Sequence, residues 1–494
     1  MPQDCETTDR RGGSGLEPNP YRRFSEQLAE GDVLAALRGG LVGGNVMVDG
    51  PFGARKLVYA DYVASGRALR QVEAFILDEV LPTYANSHTE SSFCGARTTR
   101  LREEARKVVA RGCGATTEHA VIFAGSGATA GLNRLVHLLG VDVAVRRGET
   151  PLVLVGPYEH HSNLLPWRES GAKVVEIAEA PEGGPDLAMI AGVLAAHRDT
   201  PLKIGAFSAA SNVTGIVSDV VAVTTVLKAH GALAVWDYAG GGPYLPIRMA
   251  PAPGLSIDAI ALSPHKFLGG PGASGVLVIR RDALAARTPS WPGGGTVKFV
   301  SSLFHDYSDT IEDREEAGTP NILGDIRAAL AFLVKEAVGE DFIDRRDREL
   351  TGRAFARWQD CRNLDILAPH HRDRLPIFSF RVRDDAGGFV HQQTFTRMLS
   401  DAYGIQTRGG CVCAGPYAHR LLAIDDGRSA HIRERILAGD EREKPGFVRL
   451  NLSFVMDDAT VDFILDSVAD LATRSGEYAG FYGAEPEAAA CRLV

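Results

Sequence analysis

The sequence predicts an α/β fold, with a large domain built on a mostly parallel seven-stranded sheet and a smaller C-terminal α+β domain. Three observations carry this reading. Seven short β-rich runs alternate with helical stretches between about residues 55 and 330. Several of those runs end in a polar or glycine-bearing turn. After residue 330 the pattern changes to long helical spacing, followed by two further strands and a closing amphipathic helix.

The seven runs are AVIFAG (120–125), PLVLVG (151–156), KVVEIAEA (173–180), KIGAFS (203–208), ALAVWD (232–237), IDAIALS (257–263) and GVLVIRR (275–281). Ligands of open α/β sheets bind beyond the carboxyl ends of the strands. The turns GSGATAG, GPYEHHSN, SAASN, DYAGGG and SPHK can therefore converge on one site. The segment IRAALAFLVKEAVGEDFIDRRDREL has apolar residues at helical spacing and reads as a connector. IFSFRVR (377–383) and FVRLNLSFV (447–455) read as strands, and VDFILDSVADLATR as the closing helix. The chain thus divides into a disordered arm (1–20), an N-terminal helical segment (21–56), a large domain (57–330), a small domain (331–475) and a tail (476–494). The arm offers too little apolar surface to offset the entropy of ordering it.

At 494 residues and 45% hydrophobic, the chain can bury more than one compact core. The net charge of −9 is spread without long blocks of either sign, which argues against a nucleic-acid stripe or a polybasic membrane anchor. Seven cysteines in so long a chain suit reduced thiols better than a disulfide framework. The polar N-terminus has no apolar signal stretch, and no run approaches the roughly 18 apolar residues of a membrane helix. A soluble, cytoplasmic protein acting on a small molecule is expected.

SPHKFLGGPGASG (263–275) gives the strongest local signal. A strand delivers Ser263, His265 and Lys266 to its end, and a lysine in a partly desolvated site can lose its proton and form a Schiff base with an aldehyde. A solvated loop lysine is the plain alternative. Asp237 ends the strand before it, placed either to keep a cofactor ring nitrogen protonated or to cap the next turn. GSGATAGLN opens a helix whose free amides, with the Thr129 hydroxyl, can hold a phosphate. The same turn fits a dinucleotide fingerprint, but the acidic residue expected about 20 positions on is missing. In EHHSN the adjacent histidines point to different faces, so they are not a metal pair, and one imidazole can stack on a cofactor ring. Asn212 in SAASNVTG can donate to a ring oxygen or cap a turn.

Taken in order, GATAGLN, EHHSN, SNVTG, DYAGG, SPHK and EAGTPN resemble the class V aminotransferase family, which includes cysteine desulfurases, selenocysteine lyases and molybdenum-cofactor sulfurases. The resemblance covers roughly residues 57 to 470. It implies the fold type I architecture of pyridoxal-phosphate-dependent transferases, with pyridoxal 5′-phosphate as cofactor. By position it implies Lys266 as the Schiff-base lysine, Asp237 as the partner of the pyridine nitrogen and His160 as the stacking imidazole. Gly127, Ala128, Thr129, Ser263 and His265 match phosphate-binding positions, and Asn212 matches the asparagine near the ring hydroxyl. Thr296 in PGGGT matches a residue that reaches the neighbouring subunit's phosphate, so a homodimer is implied. One departure stands out: Gly240 occupies the place of a glutamine that touches the ring oxygen in desulfurases.

GIQTRGGCVCAGPYAHRLL (404–422) resembles the RTGCFC stretch of molybdenum-cofactor sulfurases and, more loosely, the cysteine loop of desulfurases. This places Cys413 at the sulfur-receiving position, as a thiolate nucleophile. Arg408 and Arg449 match carboxylate-binding arginines, whose planar forks suit a substrate carboxylate. Asn86 and His88 match an early loop that faces the substrate. The plainer readings are ion pairs for the arginines and buried or redox-paired thiols for Cys411 and Cys413. A C-x-C pair alone is a weak metal signal, so no metal is expected. The reading reached is a cysteine desulfurase or related C–S lyase, with a possible sulfur-acceptor protein as partner. The alternatives are a class V transaminase, epimerase or other lyase that needs no thiol, a nicotinamide dehydrogenase, and a non-catalytic scaffold.

Overall fold

A computed structural model describes residues 19–87 and 90–482. All seven β-rich runs form strands: β1 (His119–Gly125), β2 (Leu152–Val155), β3 (Lys173–Glu176), β4 (Lys203–Ser208), β5 (Leu233–Asp237), β6 (Ala259–Leu262) and β7 (Gly275–Arg280). They make one sheet in the order β1-β7-β6-β5-β4-β2-β3. Only β7 runs antiparallel to its neighbours, β1 and β6. β2, β4 and β6 are buried along their whole length, as expected of strands covered on both faces.

Alternate side chains of each strand enter different cores. Val121, Phe123, Trp236, Ile260 and Val276 belong to one core. Ile122, Ala124, Val235, Ala261 and Leu277 belong to the other. The first is covered by a helix at Phe93–Gly112 packed on a second at Ile322–Val338. The other receives Leu132 and Leu135 of the helix Gly127–Leu138, which opens directly after β1 and is called α1 here.

The connector forms two helices, α2 (Ile322–Val338) and α3 (Glu340–Trp358), broken at Gly339, whose φ of +85° a side chain would resist. Beyond it lies a four-stranded sheet of β8 (Leu364–Ile366), β9 (Ile377–Val382), β10 (Arg408–Gly410) and β11 (Phe447–Asn451), in the order β8-β9-β11-β10. The helix Asp458–Ala479 closes it. Among the described residues no helix is long and apolar enough to cross a membrane.

Two close backbone approaches lock the site's framework. The amide of Gly66 donates to the His265 carbonyl at 3.0 Å, and a Cβ at Gly66 would lie 1.8 Å from the Phe267 carbonyl oxygen. A Cβ at Gly275 would fall 2.2 Å from the Gly127 carbonyl oxygen. Gly66→Ala should therefore push the 264–267 turn outward, at a cost of about 1–3 kcal/mol for overpacking. A urea denaturation midpoint equal to that of the unaltered protein would contradict this packing.

Candidate active site

The carboxyl ends of β1, β2, β4, β5 and β6 lie along one edge of the large sheet, because these strands run parallel. The turns that follow them surround a cavity of about 210 Å³. Its walls include Gly127, Ala128, Thr129, His160, Asn212, Asp237, Ser263, His265, Lys266, Arg408 and Arg449, so these separately read residues share one space. A larger cavity, about 670 Å³, lies behind the Tyr59–Tyr62 segment and is lined by none of them. Chemistry rather than size therefore marks the site.

Lys266 closes a short turn, Pro264–Lys266, directly after β6. Burial drives its ammonium down to about 8, against an opposing pull from Asp237. Asp237, 3% exposed, ends β5. Burial raises its carboxyl above the ordinary range, while the Ala239 amide, donating at 2.7 Å, pulls the other way. The capping contact and the buried carboxylate thus coexist. Two groups that each resist charge face one small space, and an amine so placed is a ready nucleophile toward a carbonyl.

His160 is pushed down to about 3 by burial and by Lys266, so its ring is neutral. Its Nδ1 accepts from the Ser162 amide at 3.1 Å, and the Ser162 hydroxyl pairs with Thr129 Oγ1 at 2.7 Å. The α1 amino end is shaped by Ser263, whose Oγ accepts from the Ala128 amide at 2.9 Å. Gly127 has φ +61°, and a Cβ there would lie 2.9 Å from the His265 ring. Burial also takes His265 down to about 4.

Arg408 and Arg449 are direct partners across β10 and β11, so two cations share one face. Asp61 relieves the repulsion: Oδ1 lies 2.5 Å from Arg449 Nη2 and Oδ2 lies 3.6 Å from Arg408 Nε. Arg449 also donates to the Asn212 carbonyl at 3.2 Å, and its buried Nε has no partner. The ion-pair alternative is thus realised, but with a buried acid rather than a surface one. Asn212 departs from expectation as well. Its Nδ2 donates to the Val412 carbonyl at 2.9 Å, so the donor expected to face a ring oxygen is engaged and the buried Oδ1 is left without a partner.

Three expected residues stand apart from the cavity. Cys413 is exposed and does not line it, although its neighbour Val412 does. Val412 and Cys413 hold φ of +46° and +59°, and each such non-glycine residue costs roughly 1–3 kcal/mol. Thr296 is buried and donates to the Gly293 carbonyl at 2.6 Å, and Asn86 is exposed. His88 lies outside the described residues.

Sequence reasoning passed over Asp61 and Glu159. Glu159 is buried and accepts from the Ser208 amide at 2.8 Å, the Ser208 hydroxyl at 2.7 Å and Asn163 Nδ2 at 2.5 Å, while burial pushes its carboxyl up to about 7. An acid in the turn after an apolar strand, just before two histidines, was its signal.

Comparison with known proteins bears on this geometry. The family described as aminotransferase class-V matches residues 58–462. A probable cysteine desulfurase of Pyrococcus abyssi is 30% identical over 378 residues, covering 74% of this chain and 87% of its own length. One of Staphylococcus aureus is 28% identical over 388 residues, 78% of this chain and 89% of its own. Among solved structures, a cysteine desulfurase from Thermococcus onnurineus superposes with a TM-score of 0.69 at 24% identity, over 84% of this chain and 95% of its own. One from Escherichia coli gives 0.66 at 24% identity, over 84% and 94%. At that identity the likeness is one of fold.

The lowered basicity of Lys266 is measurable. Between pH 8 and 10.5 the unfolded chain holds this proton and the folded chain, free of small molecules, does not. Stability from this group therefore rises with pH across that window. Acetylation of Lys266 should reach half its maximal rate near pH 8, while exposed lysines are still accelerating toward 10.5. A Lys266 profile that follows theirs would contradict the desolvated site.

Proposed function

The chain belongs to the class-V aminotransferase family, and from that premise we propose that it is a pyridoxal-phosphate-dependent cysteine desulfurase or desulfurase-like C–S lyase. It would release alanine from L-cysteine and pass the sulfur to its own thiol. The observation that carries this reading is the single cavity shared by Lys266, Asp237, His160 and both arginines, with the Cys411–Gly415 loop at its wall through Val412.

The residues present fit the cofactor. The unpartnered Asn212 Oδ1, the tight cradle at Gly127 and the amino end of α1, which its own N-cap side chain does not cap, are what a phosphorylated, hydroxylated ring requires. Lys266 would carry the cofactor, Asp237 would face its ring nitrogen and His160 would stack on the ring. Gly127, Ala128, Thr129, Ser263 and His265 would hold the phosphate. Asn212, beside Gly240, would face the ring hydroxyl with its Oδ1 as acceptor, where relatives use a glutamine. When bound, the cofactor withdraws electrons from the substrate's α carbon.

The chain's own groups supply the rest. Arg408 and the free Nε of Arg449 bind the substrate carboxylate. The Lys266 amine, neutral from about pH 8, takes the proton from the α carbon. The Cys413 thiolate attacks the substrate sulfur, so that an S–S bond forms as the C–S bond breaks. The carbon keeps the electron pair and, once protonated, leaves as alanine, while Cys413 keeps a persulfide. Cys413 must enter the cavity for this step, and its exposure then suits delivery to an acceptor protein.

Residues 57–330 and 331–475 act as large and small domains of a cytoplasmic homodimer. Its contact face would include the exposed Trp291, Phe299, Leu303 and Phe304, and there Thr296 would serve the neighbouring subunit's site. The position of Cys413 outside the cavity favours a second reading, a class V transaminase, epimerase or lyase that forms no persulfide.

Mass spectrometry of the 409–420 peptide after brief exposure to L-cysteine separates the two. The desulfurase reading expects an added sulfur on Cys413, lost in Cys413→Ser and kept in Cys411→Ser. Undiminished turnover by Cys413→Ser would favour the second reading.

A further inference from the structure

The loop carrying Cys413 is held from both sides by one residue. The backbone amide of His161 donates to the Cys413 carbonyl at 2.8 Å, and the Gly415 amide donates to His161 Nε2 at 3.0 Å. Asn212 adds a third tie, to the carbonyl of Val412. The ties answer a need, because glycines stand at 409, 410 and 415 but not at 412 and 413, where φ is positive. Without a glycine the left-handed backbone is not favoured locally, so contacts from outside the loop must hold it.

His161 suits the task. Burial lowers the proton affinity of its ring, which keeps Nε2 an acceptor, and a Cβ at Gly415 would come within 3.1 Å of that nitrogen. The ring before it, His160, lines the cavity, and the two imidazoles are tilted by 47°. One short turn therefore presents one ring to the cavity and the other to the thiol loop.

We infer that His161 is a positioning residue for sulfur transfer: by bracketing Cys413 it sets the direction in which the thiol is presented, and it ties that direction to the turn carrying His160. The inference rests on the desulfurase reading for its role in turnover, but not for its effect on the resting thiol.

The test compares His161→Phe, which removes the acceptor, with His161→Gln, whose side-chain oxygen can accept from Gly415, in cofactor-loaded protein. Iodoacetamide labelling is read as the Cys413 to Cys411 ratio within one peptide, without substrate. Expected in His161→Phe is a change of about tenfold or more in that ratio and a comparable fall in kcat for L-cysteine, with KM and the cofactor's visible spectrum unchanged. His161→Gln should recover most of both. Should the phenylalanine variant be insoluble, His161→Ala is read by the same criteria. An unchanged labelling ratio in a folded, cofactor-loaded variant overturns the inference, and so does a glutamine variant no better than the phenylalanine one. If the unaltered protein releases no alanine from L-cysteine, the desulfurase reading falls, while the labelling ratio still decides the role of His161.

Discussion

The site depends on one constraint, the burial of Lys266 and Asp237 together at the carboxyl edge of a parallel sheet. Neither group is comfortable there when charged: the lysine falls to about 8 and the aspartate rises. A protein tolerates such a pair where the discomfort serves chemistry. Parallel strands create the place, since their ends line up on one edge and each must turn there. The antiparallel β7 completes it by bringing Gly275 against Gly127, which fixes the amino end of α1.

The second domain brings the opposite problem, two cations side by side. Arg408 and Arg449 face each other across β10 and β11, and removing one partner from a buried ion pair typically costs about 3–5 kcal/mol. Asp61 holds them, and it reaches them because Val58–Tyr59 pairs in parallel with Ile405–Gln406 and Asp61 bridges to Asn451. The early segment of the chain thereby neutralises the arginines while Gly66 docks the same segment on the Lys266 turn. Charge balance and backbone contact join the two halves of the site.

The large sheet was legible in the sequence because its inner strands are buried on both faces and read as apolar runs. β8 and β10 were not, since three-residue strands exist only through their partners, and Arg-Gly-Gly has no strand preference of its own. Lys266, Asp237 and His160 were legible because each ends or follows a strand, and the arginines because they match carboxylate-binding positions of the family. Asp61 was not: its meaning comes from an arginine 388 positions away, and nothing local marks it. The amide orientation of Asn212 and the exposed, tethered setting of Cys413 likewise follow from tertiary contacts that a single sequence does not display.

Lys266 as the cofactor-bearing lysine is the assignment on which every other role in the cavity depends. Borohydride reduction of the protein purified with its cofactor, followed by peptide mapping, should find the reduced pyridoxyl group on Lys266 within SPHKFLGG and nowhere else. A different labelled lysine, or no covalent label in protein that holds the cofactor, would contradict the assignment of this cavity as the active site.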